Sequence, residues 1–174
     1  ILNGVPIAFA NKLLRGNIGV IGASGTGVQE VTSLLSRNNY GVSQVIGVGG
    51  RDLEAVVGGI TTLMAIDALA ADPQTKKIIL ISKPPSLEVT NKILERIKDV
   101  GKPFTICFLG MDNLQLPKNA IFVPSLKRAA ESVMKEKINQ EGFNLIKFAG
   151  NSLRAKSGIC GLFSGGSLCL EAQI

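Results

Sequence analysis

A glycine-rich turn at positions 22–27 holds the residues best suited to bind a ligand. An apolar segment leads into Gly22-Ala-Ser-Gly-Thr-Gly27, and apolar residues at helical spacing follow it. Glycines allow close backbone approach to a ligand, and the unpaired amides at a helix start attract anions. We therefore predict a phosphate- or acyl-phosphate-binding turn built from Ser24, Gly25, Thr26 and Gly27. The alternative is a turn that only joins a strand to a helix.

Two common nucleotide-binding motifs are excluded at this turn. A Walker A motif needs a lysine directly after its last glycine, but Val28 and Gln29 follow here. The dinucleotide fingerprint needs a third glycine at the position of Glu30. Thr26 and Gln29 have the spacing of a capping box, which predicts that the helix starts at about residue 27.

The chain contains no histidine, and this limits the chemistry available to it. A Ser-His-Asp or Cys-His nucleophile, a histidine base and an imidazole zinc site are all excluded. Lysine, arginine, carboxylates, main-chain amides or another chain must supply the reactive groups, and we expect no metal site. The three cysteines are too few and too scattered for a disulfide framework, which favours the reducing cytoplasm.

Composition indicates one folded domain of ordinary size. The chain has 174 residues, of which 45% are hydrophobic and 18% charged, so it can build a substantial core. No apolar run approaches the roughly 18 residues of a membrane helix, and we expect neither membrane association nor a signal peptide. The net charge of +6 suits small anionic substrates. Scattered lysines, a single tyrosine and the lack of tryptophan argue against nucleic-acid binding.

Five apolar segments alternate with helical patterns and predict an α/β fold. We expect a three-layer, flavodoxin-like, doubly wound parallel sheet with strand order 2-1-3-4-5. Loops at the carboxyl ends of its strands share one edge, so Ser24 and Thr26 should face Lys83 and Ser86 across a crevice, with Arg51 nearby. Lys83 could instead be a solvated loop lysine, and Arg51 a partner of Asp52. The predicted strands lie at 18–21, 42–48, 77–82, 104–109 and 120–123, and the helices at 27–38, at 60–71, after Ser86 and after Ser125.

The end of the chain departs from this pattern. We assign residues 1–138 to the α/β domain and residues 139–174 to a connection and the start of a further lobe of a longer chain. Residues 157–163 are predicted as a strand. Ser164, Gly165, Gly166 and Ser167 then repeat the glycine-rich turn.

Several motifs together resemble a known family. Gly19-Val-Ile-Gly-Ala-Ser-Gly-Thr26 with Glu30, residues 46–50 (IGVGG) and residues 72–75 (DPQT) resemble the second domain of the succinyl-CoA synthetase α subunit. Three further segments are similar to the FdrA-like branch of that acyl-CoA synthetase superfamily. They are residues 49–53 (GGRDL), 82–85 (SKPP) and 161–169 (GLFSGGSLC).

The resemblance implies a role for the first glycine-rich turn. In the synthetases such a turn holds the phosphate of a phosphohistidine, which would assign that role to Ser24, Gly25 and Thr26. This chain has no histidine, and Lys83 stands where the synthetases have an acidic residue, so a histidine relay is not expected. The FdrA-like branch implies a carbamoyltransferase that interconverts oxalurate and phosphate with oxamate and carbamoyl phosphate. Lys83 and Arg51 would then be the candidate catalytic residues, holding phosphate directly.

Three functions follow as hypotheses. The first is an enzyme domain that binds phosphate or an acyl phosphate, with CoA as a further candidate ligand. It would work with the rest of a parent chain and companion subunits, as a homo-oligomer. The second is a structural or regulatory domain that keeps the synthetase shell for subunit contacts. The third, an ADP-forming acyl-CoA ligase, lacks the histidine it would need.

Overall fold

A parallel β-sheet forms the centre of the molecule. The computed structural model describes residues 1–8, 11–112, 114–135, 137–138 and 160–174. The strand order is β2-β1-β3-β4-β5, and every neighbouring pair is parallel. This confirms the predicted α/β fold and its strand order. The strands are β1 (Arg15–Gly22), β2 (Val42–Gly47), β3 (Lys77–Ser82), β4 (Phe104–Phe108) and β5 (Ala120–Phe122).

Helices cover both faces of the sheet. Helices α1 and α4 pack on one face, and α2 and α3 contribute to the core on the other. Helix α5 lies beside α1. The helices are α1 (Gly25–Arg37), α2 (Ile60–Ala71), α3 (Leu87–Lys98), α4 (Leu126–Glu131) and α5 (Gly166–Gln173).

The central strand β3 is buried on both faces, and this explains the continuous apolar run at residues 78–81. Ile79 and Ile81 belong to the core beneath α1 and α4, whereas Ile78 and Leu80 belong to the core beneath α2 and α3. All four side chains are fully buried. Successive residues of a strand face opposite sides, so a strand covered on both sides needs apolar residues at every position.

The first five residues run along the outer side of β2. The amide of Asn3 donates to the carbonyl of Ser43 at 2.7 Å, and the amide of Val45 donates to the carbonyl of Ile1 at 2.8 Å. A tight turn at Asn3 and Gly4, both with positive φ, reverses the chain there. This segment supplies hydrogen-bond partners on the side of β2 that faces away from β1.

Three helices have a serine as their N-cap, and the cap of α1 differs from the one predicted. Helix α1 starts at Gly25, because Ser24 has extended backbone angles and its Oγ accepts the Gly27 amide at 3.0 Å. The predicted capping box of Thr26 and Gln29 is therefore wrong. The predicted caps Ser86 and Ser125 are confirmed, since their hydroxyls accept the amides of Val89 and Arg128 at 3.3 Å.

The end of the chain differs from its predicted structure. Residues 160–163 are not in a strand, whereas 157–159 lie outside the described residues. The second glycine-rich turn does start a helix, α5, which packs beside α1. The proposed boundary at residue 138 adjoins residues outside the described part and stays a prediction.

Candidate functional site

A cleft of about 850 Å³ opens at the carboxyl ends of β1 and β3. Three loops that follow strands contribute to it, together with the first turn of α5. This is the edge where ligands bind in doubly wound sheets. The lining residues are Ala23, Ser24, Gly25, Thr26, Gly50, Leu53, Glu54, Ala55, Ser82, Lys83, Pro84, Pro85, Ser86, Gly166 and Ser167.

The first turn of α1 forms one wall of this cleft. Gly25 and Thr26 line it, and a Cβ atom built on Gly25 would meet no atom within 4 Å. Gly27 is different, because its amide donates to Ser24 Oγ and a Cβ there would lie 2.7 Å from that oxygen. The same Cβ would lie 3.1 Å from Ile81 of β3. Gly27 thus packs against its neighbours and lies outside the lining of the cleft, and its predicted role in phosphate binding stays a prediction.

The side chain of Ser24 joins the two glycine-rich turns. Its Oγ accepts the Gly27 amide and lies 2.5 Å from the Oγ of Ser167. Both serines are buried, with 5% and 3% of their surface exposed. The hydroxyl therefore fixes the start of α1 and holds the start of α5 against it.

Helix α5 brings a second helix N-terminus to the cleft. Gly166 and Ser167 line the cleft, whereas Ser164 and Gly165 do not. No side chain caps α5 at Gly165, which packs so tightly that an added Cβ would lie 2.7 Å from a methyl group of Thr26. The first-turn amides of α5 therefore add to the partial positive charge at this edge.

A carboxylate anchors α5 further along its length. Glu171 Oε1 accepts the backbone amide of Leu126, the first residue of α4, at 2.6 Å. Leu168 and Leu170 pack against the core beneath α1 and α4. These contacts hold the N-terminus of α5 at the cleft.

Lys83 is the cation that lines the cleft. A Cβ on Gly166 would lie 3.1 Å from its Nζ atom, so the lysine reaches the start of α5. Among the described residues, no carboxylate lies within 4.0 Å of this ammonium group. Ser86 lines the cleft as well, and its hydroxyl caps α3, which makes α3 the third helix that starts there. The exposed carboxylate in the lining is Glu54.

Arg51 lies outside the lining, and its suggested pairing with Asp52 is wrong. Asp52 is buried and accepts the amides of Thr61 and Thr62 at 2.9 and 2.8 Å and the Thr62 hydroxyl at 2.6 Å. Burial opposes ionisation of Asp52, but these hydrogen bonds outweigh it and lower the pKa of the carboxyl group. Asp52 thus supplies the side-chain cap that Gly59 cannot give to α2.

The structure brings together most of the predicted site residues. Ser24, Gly25, Thr26, Lys83 and Ser86 share one cleft, as their positions after β1 and β3 indicated. Gly50 and Leu53 of the lining belong to the motif at 49–53, although no binding role was predicted for them, whereas Glu54 and Ala55 were missed because no motif includes them. No group of three or more potential metal ligands occurs in the part of the chain that the structure describes. None of the described helices has the length and apolarity to cross a membrane.

The strands and loops that form the cleft match a known family. The sequence profile of the CoA binding domain matches residues 15–110, which include β1 to β4 and all three strand-following loops that line the cleft. The chain belongs to the CoA-binding domain family. Within the CoA-binding domain, the match includes Ser24, Gly25, Thr26, Lys83 and Ser86, whereas α5 lies beyond it.

Relatives of this CoA-binding domain include both synthetase subunits and a protein without an assigned activity. The uncharacterised protein YahF of Escherichia coli K12 is 42% identical over an alignment covering 99% of the chain and 36% of YahF. A subunit of ADP-forming sulfoacetate-CoA ligase, SqwL of an Acholeplasma species, is 36% identical over 40% of the chain and 22% of that protein. An α subunit of ADP-forming succinate–CoA ligase from Archaeoglobus fulgidus is 28% identical over 55% of the chain and 31% of that subunit. The chain thus spans about a third of the length of YahF.

Proposed function

We propose that this domain holds the phosphate group of its ligand, an acyl phosphate or a phosphate of CoA, in the 850 Å³ cleft. The observation that carries the proposal is the meeting of the α1 and α5 N-termini with the Lys83 ammonium at one cleft. Each helix N-terminus acts as about half a positive charge, and Lys83 adds a full one. Together they favour a group with several negatively charged oxygens.

In this proposal, main-chain amides, a lysine and two serine hydroxyls have different roles in binding the phosphate. Gly25 and Thr26 of α1, with Gly166 and Ser167 of α5, present first-turn amides to the phosphate oxygens. Lys83 neutralises charge as a flexible point charge, and the Ser86 hydroxyl lies at the same cleft. Ser24 acts through position, since its hydroxyl ties the two turns together. No phosphorylated side chain is needed in this arrangement, because the acyl phosphate itself is held.

The reaction we favour is acyl or carbamoyl transfer in an FdrA-like enzyme. The motifs at 49–53, 82–85 and 161–169 support this branch, and a carbamoyltransferase acting on oxalurate and phosphate would need a site for carbamoyl phosphate. Companion subunits and a second copy of the chain would complete the site, since the domain is only about a third as long as YahF. We place the enzyme in the cytoplasm, where the three free cysteines would stay reduced.

A second candidate is an ADP-forming CoA ligase. The names of two relatives, the sulfoacetate-CoA ligase subunit and the succinate–CoA ligase subunit, favour it. Against it, this chain has no histidine to carry a phosphoryl group. Incubation with γ-labelled ATP and a companion subunit distinguishes the two, because only the ligase would transfer label to an enzyme side chain.

Calorimetric titration of the 174-residue chain with inorganic phosphate tests the proposal. We expect saturable binding that Lys83→Ala weakens by about three- to tenfold, because the lysine is exposed and partly screened. Lys76→Ala is the matched control, since Lys76 is also an exposed lysine and lies just before the opposite end of β3. Absence of binding, or equal losses in both variants, would instead favour a structural domain that serves subunit contacts.

A further inference from the structure

Helix α2 is apolar on its outer side as well as on its buried side. Ile60 and Met64 are 61% and 66% exposed, and Val56, four residues before Ile60, is 89% exposed. Ala68 and Ala71 are exposed further along the same helix. The outer helix of a doubly wound sheet normally presents charged residues to water, as α3 does. An apolar outer side therefore indicates a surface that another molecule covers.

The outer side of α2 has large side chains at one end and small ones at the other. Positions 60, 64, 68 and 71 form one stripe along a helix. Ile60 and Met64 lie in its first half, and Ala68 and Ala71 lie in its second half. A groove of about 520 Å³ lies at the second half, between α2 and the C-terminal end of α3, with Ala71 and Val100 in its lining. The same surface thus has a projecting apolar end and a recessed end.

The charges of this groove balance. Asp67, the single charged residue of α2, accepts hydrogen bonds from Arg96 of α3 at 3.0 and 3.1 Å. Lys102 donates to two main-chain carbonyls at the end of α2, at 2.7 and 2.6 Å. With Asp99 included, the lining holds two carboxylates and two cations. The groove as a whole therefore attracts neither an acidic nor a basic partner.

We propose that α2 is the contact surface between two copies of this chain, whose α2 helices pack antiparallel about a twofold axis. Ile60 of one copy enters the groove beside Ala71 of the other, and the same contact occurs twice, as an isologous interface requires. Met64 lies against Ala68 of the other copy, because both pairs are centred on the middle of α2. A partner of another sequence would need a matching groove and projection of its own, whereas a second copy supplies both.

The contact is independent of the phosphate cleft and goes beyond the function proposed for it. Ile60, Met64, Ala68 and Ala71 all lie outside the lining of that cleft. Phosphate binding and dimer formation are measured separately, so that either can fail without the other.

Sedimentation velocity of the 174-residue chain, from about 1 to 200 μM, tests the proposal. We expect a monomer–dimer equilibrium with a micromolar dissociation constant, because an interface of one helix from each copy is small. Met64→Lys places a charge in the middle of the contact and should raise this constant by about tenfold or more. Leu162→Lys is the matched control, because Leu162 is 96% exposed and lies outside α2 and the groove. It should leave the constant unchanged.

A reciprocal change of side-chain size tests the antiparallel register. Ala71→Ile sets a large side chain against Ile60 of the other copy and should weaken the dimer about tenfold, although it makes α2 more apolar. Adding Ile60→Ala to the same chain again sets a large residue against a small one. The double variant should therefore return to within about threefold of the unaltered chain. Circular dichroism of each variant checks that the fold is kept.

Three outcomes would overturn the proposal. The first is a chain that stays monomeric over the whole concentration range, which would mean that any occupant of α2 is a different protein. The second is a dimer that Met64→Lys does not weaken, since the copies would then meet elsewhere. The third is a dimer that Ala71→Ile strengthens, which would exclude the antiparallel contact. Phosphate titration of the same samples decides the proposed function independently of all three.

Discussion

At the scale of single residues, Ser24 has two structural tasks that its sequence context suggested only in part. A serine before a helix predicts a cap, but its hydrogen bond to Ser167 joins positions 143 residues apart in the sequence. Both serines are almost fully buried, so each hydroxyl relies mainly on protein partners for its hydrogen bonds. The stability of the site therefore depends on the two serines together.

We predict that Ser24→Ala lowers the free energy of unfolding by about 2–3 kcal/mol. The loss of the cap contributes about 1 kcal/mol, and the buried Ser167 hydroxyl left without Ser24 contributes the rest. Urea denaturation followed by circular dichroism measures it. Ser125→Ala is the control, because Ser125 caps the short helix α4 through an exposed hydrogen bond, and it should cost less than about 1 kcal/mol. Equal losses in both variants would contradict the second task of Ser24.

Asp52 makes a pH-dependent contribution to stability. Its folded-state pKa is lowered from 3.8, so its ionised form stabilises the fold above that value. This stabilisation is lost as the pH falls through the lower folded-state value. We expect the free energy of unfolding to decrease as the pH falls below about 4, and less steeply in Asp52→Asn. A pH series of urea denaturation curves measures it, and identical slopes in the two proteins would contradict the role of the carboxylate.

Among the secondary-structure elements, α1 has two glycines in its first turn, Gly25 and Gly27, with different structural environments. Gly25 faces open space in the cleft, whereas Gly27 packs against Ser24, Ile81 and Leu126. The sequence indicated a strand, a turn and a helix here, but it gave no means to tell a ligand-facing glycine from a packing glycine. That distinction depends on the position of β3 and α4, which are distant in sequence.

We predict opposite effects of alanine at these two glycines. Gly27→Ala places a methyl group 2.7 Å from Ser24 Oγ and should destabilise the fold by about 1–3 kcal/mol. Gly25→Ala adds a methyl group in open space and should keep or slightly raise stability, because alanine favours the helix. The same substitution should weaken phosphate binding, since the methyl group extends into the cleft. Thermal denaturation and phosphate titration of both variants measure these effects, and a stable Gly27→Ala protein would contradict the packing role.

At the scale of the whole molecule, the fold was predictable because its signals are local and repeated. Five apolar segments, each followed by a turn, indicated the alternation of strands and helices, and the strand order is the one expected for such a sheet. The position of α5 was not predictable, because residues 139–159 separate it from the domain and carry no strong pattern. The cap of α2 was missed for a related reason, since Asp52 reaches Thr61 and Thr62 across a loop.

The reactivity of Cys107 should report on the integrity of the whole fold. Burial, and to a lesser extent the charge of Glu171, raises the pKa of its thiol to about 12, so the native chain presents almost no thiolate at pH 8. We expect Cys107 to react with iodoacetamide only at the rate of global unfolding, whereas the exposed Cys160 reacts at once. Mass spectrometry of labelled peptides, with and without urea, measures both rates. Equally fast labelling in the native protein would contradict the burial of Cys107.

The N-terminal segment along β2 has a consequence for how the protein behaves in concentrated solution. Its hydrogen bonds to Ser43 and Val45 occupy main-chain groups that would otherwise be free at one margin of the sheet. The opposite margin, β5, is only three residues long and offers little to pair with. A chain that lost residues 1–5 would present β2 as a template for strand addition, and neighbouring molecules would assemble through it into extended β-structure.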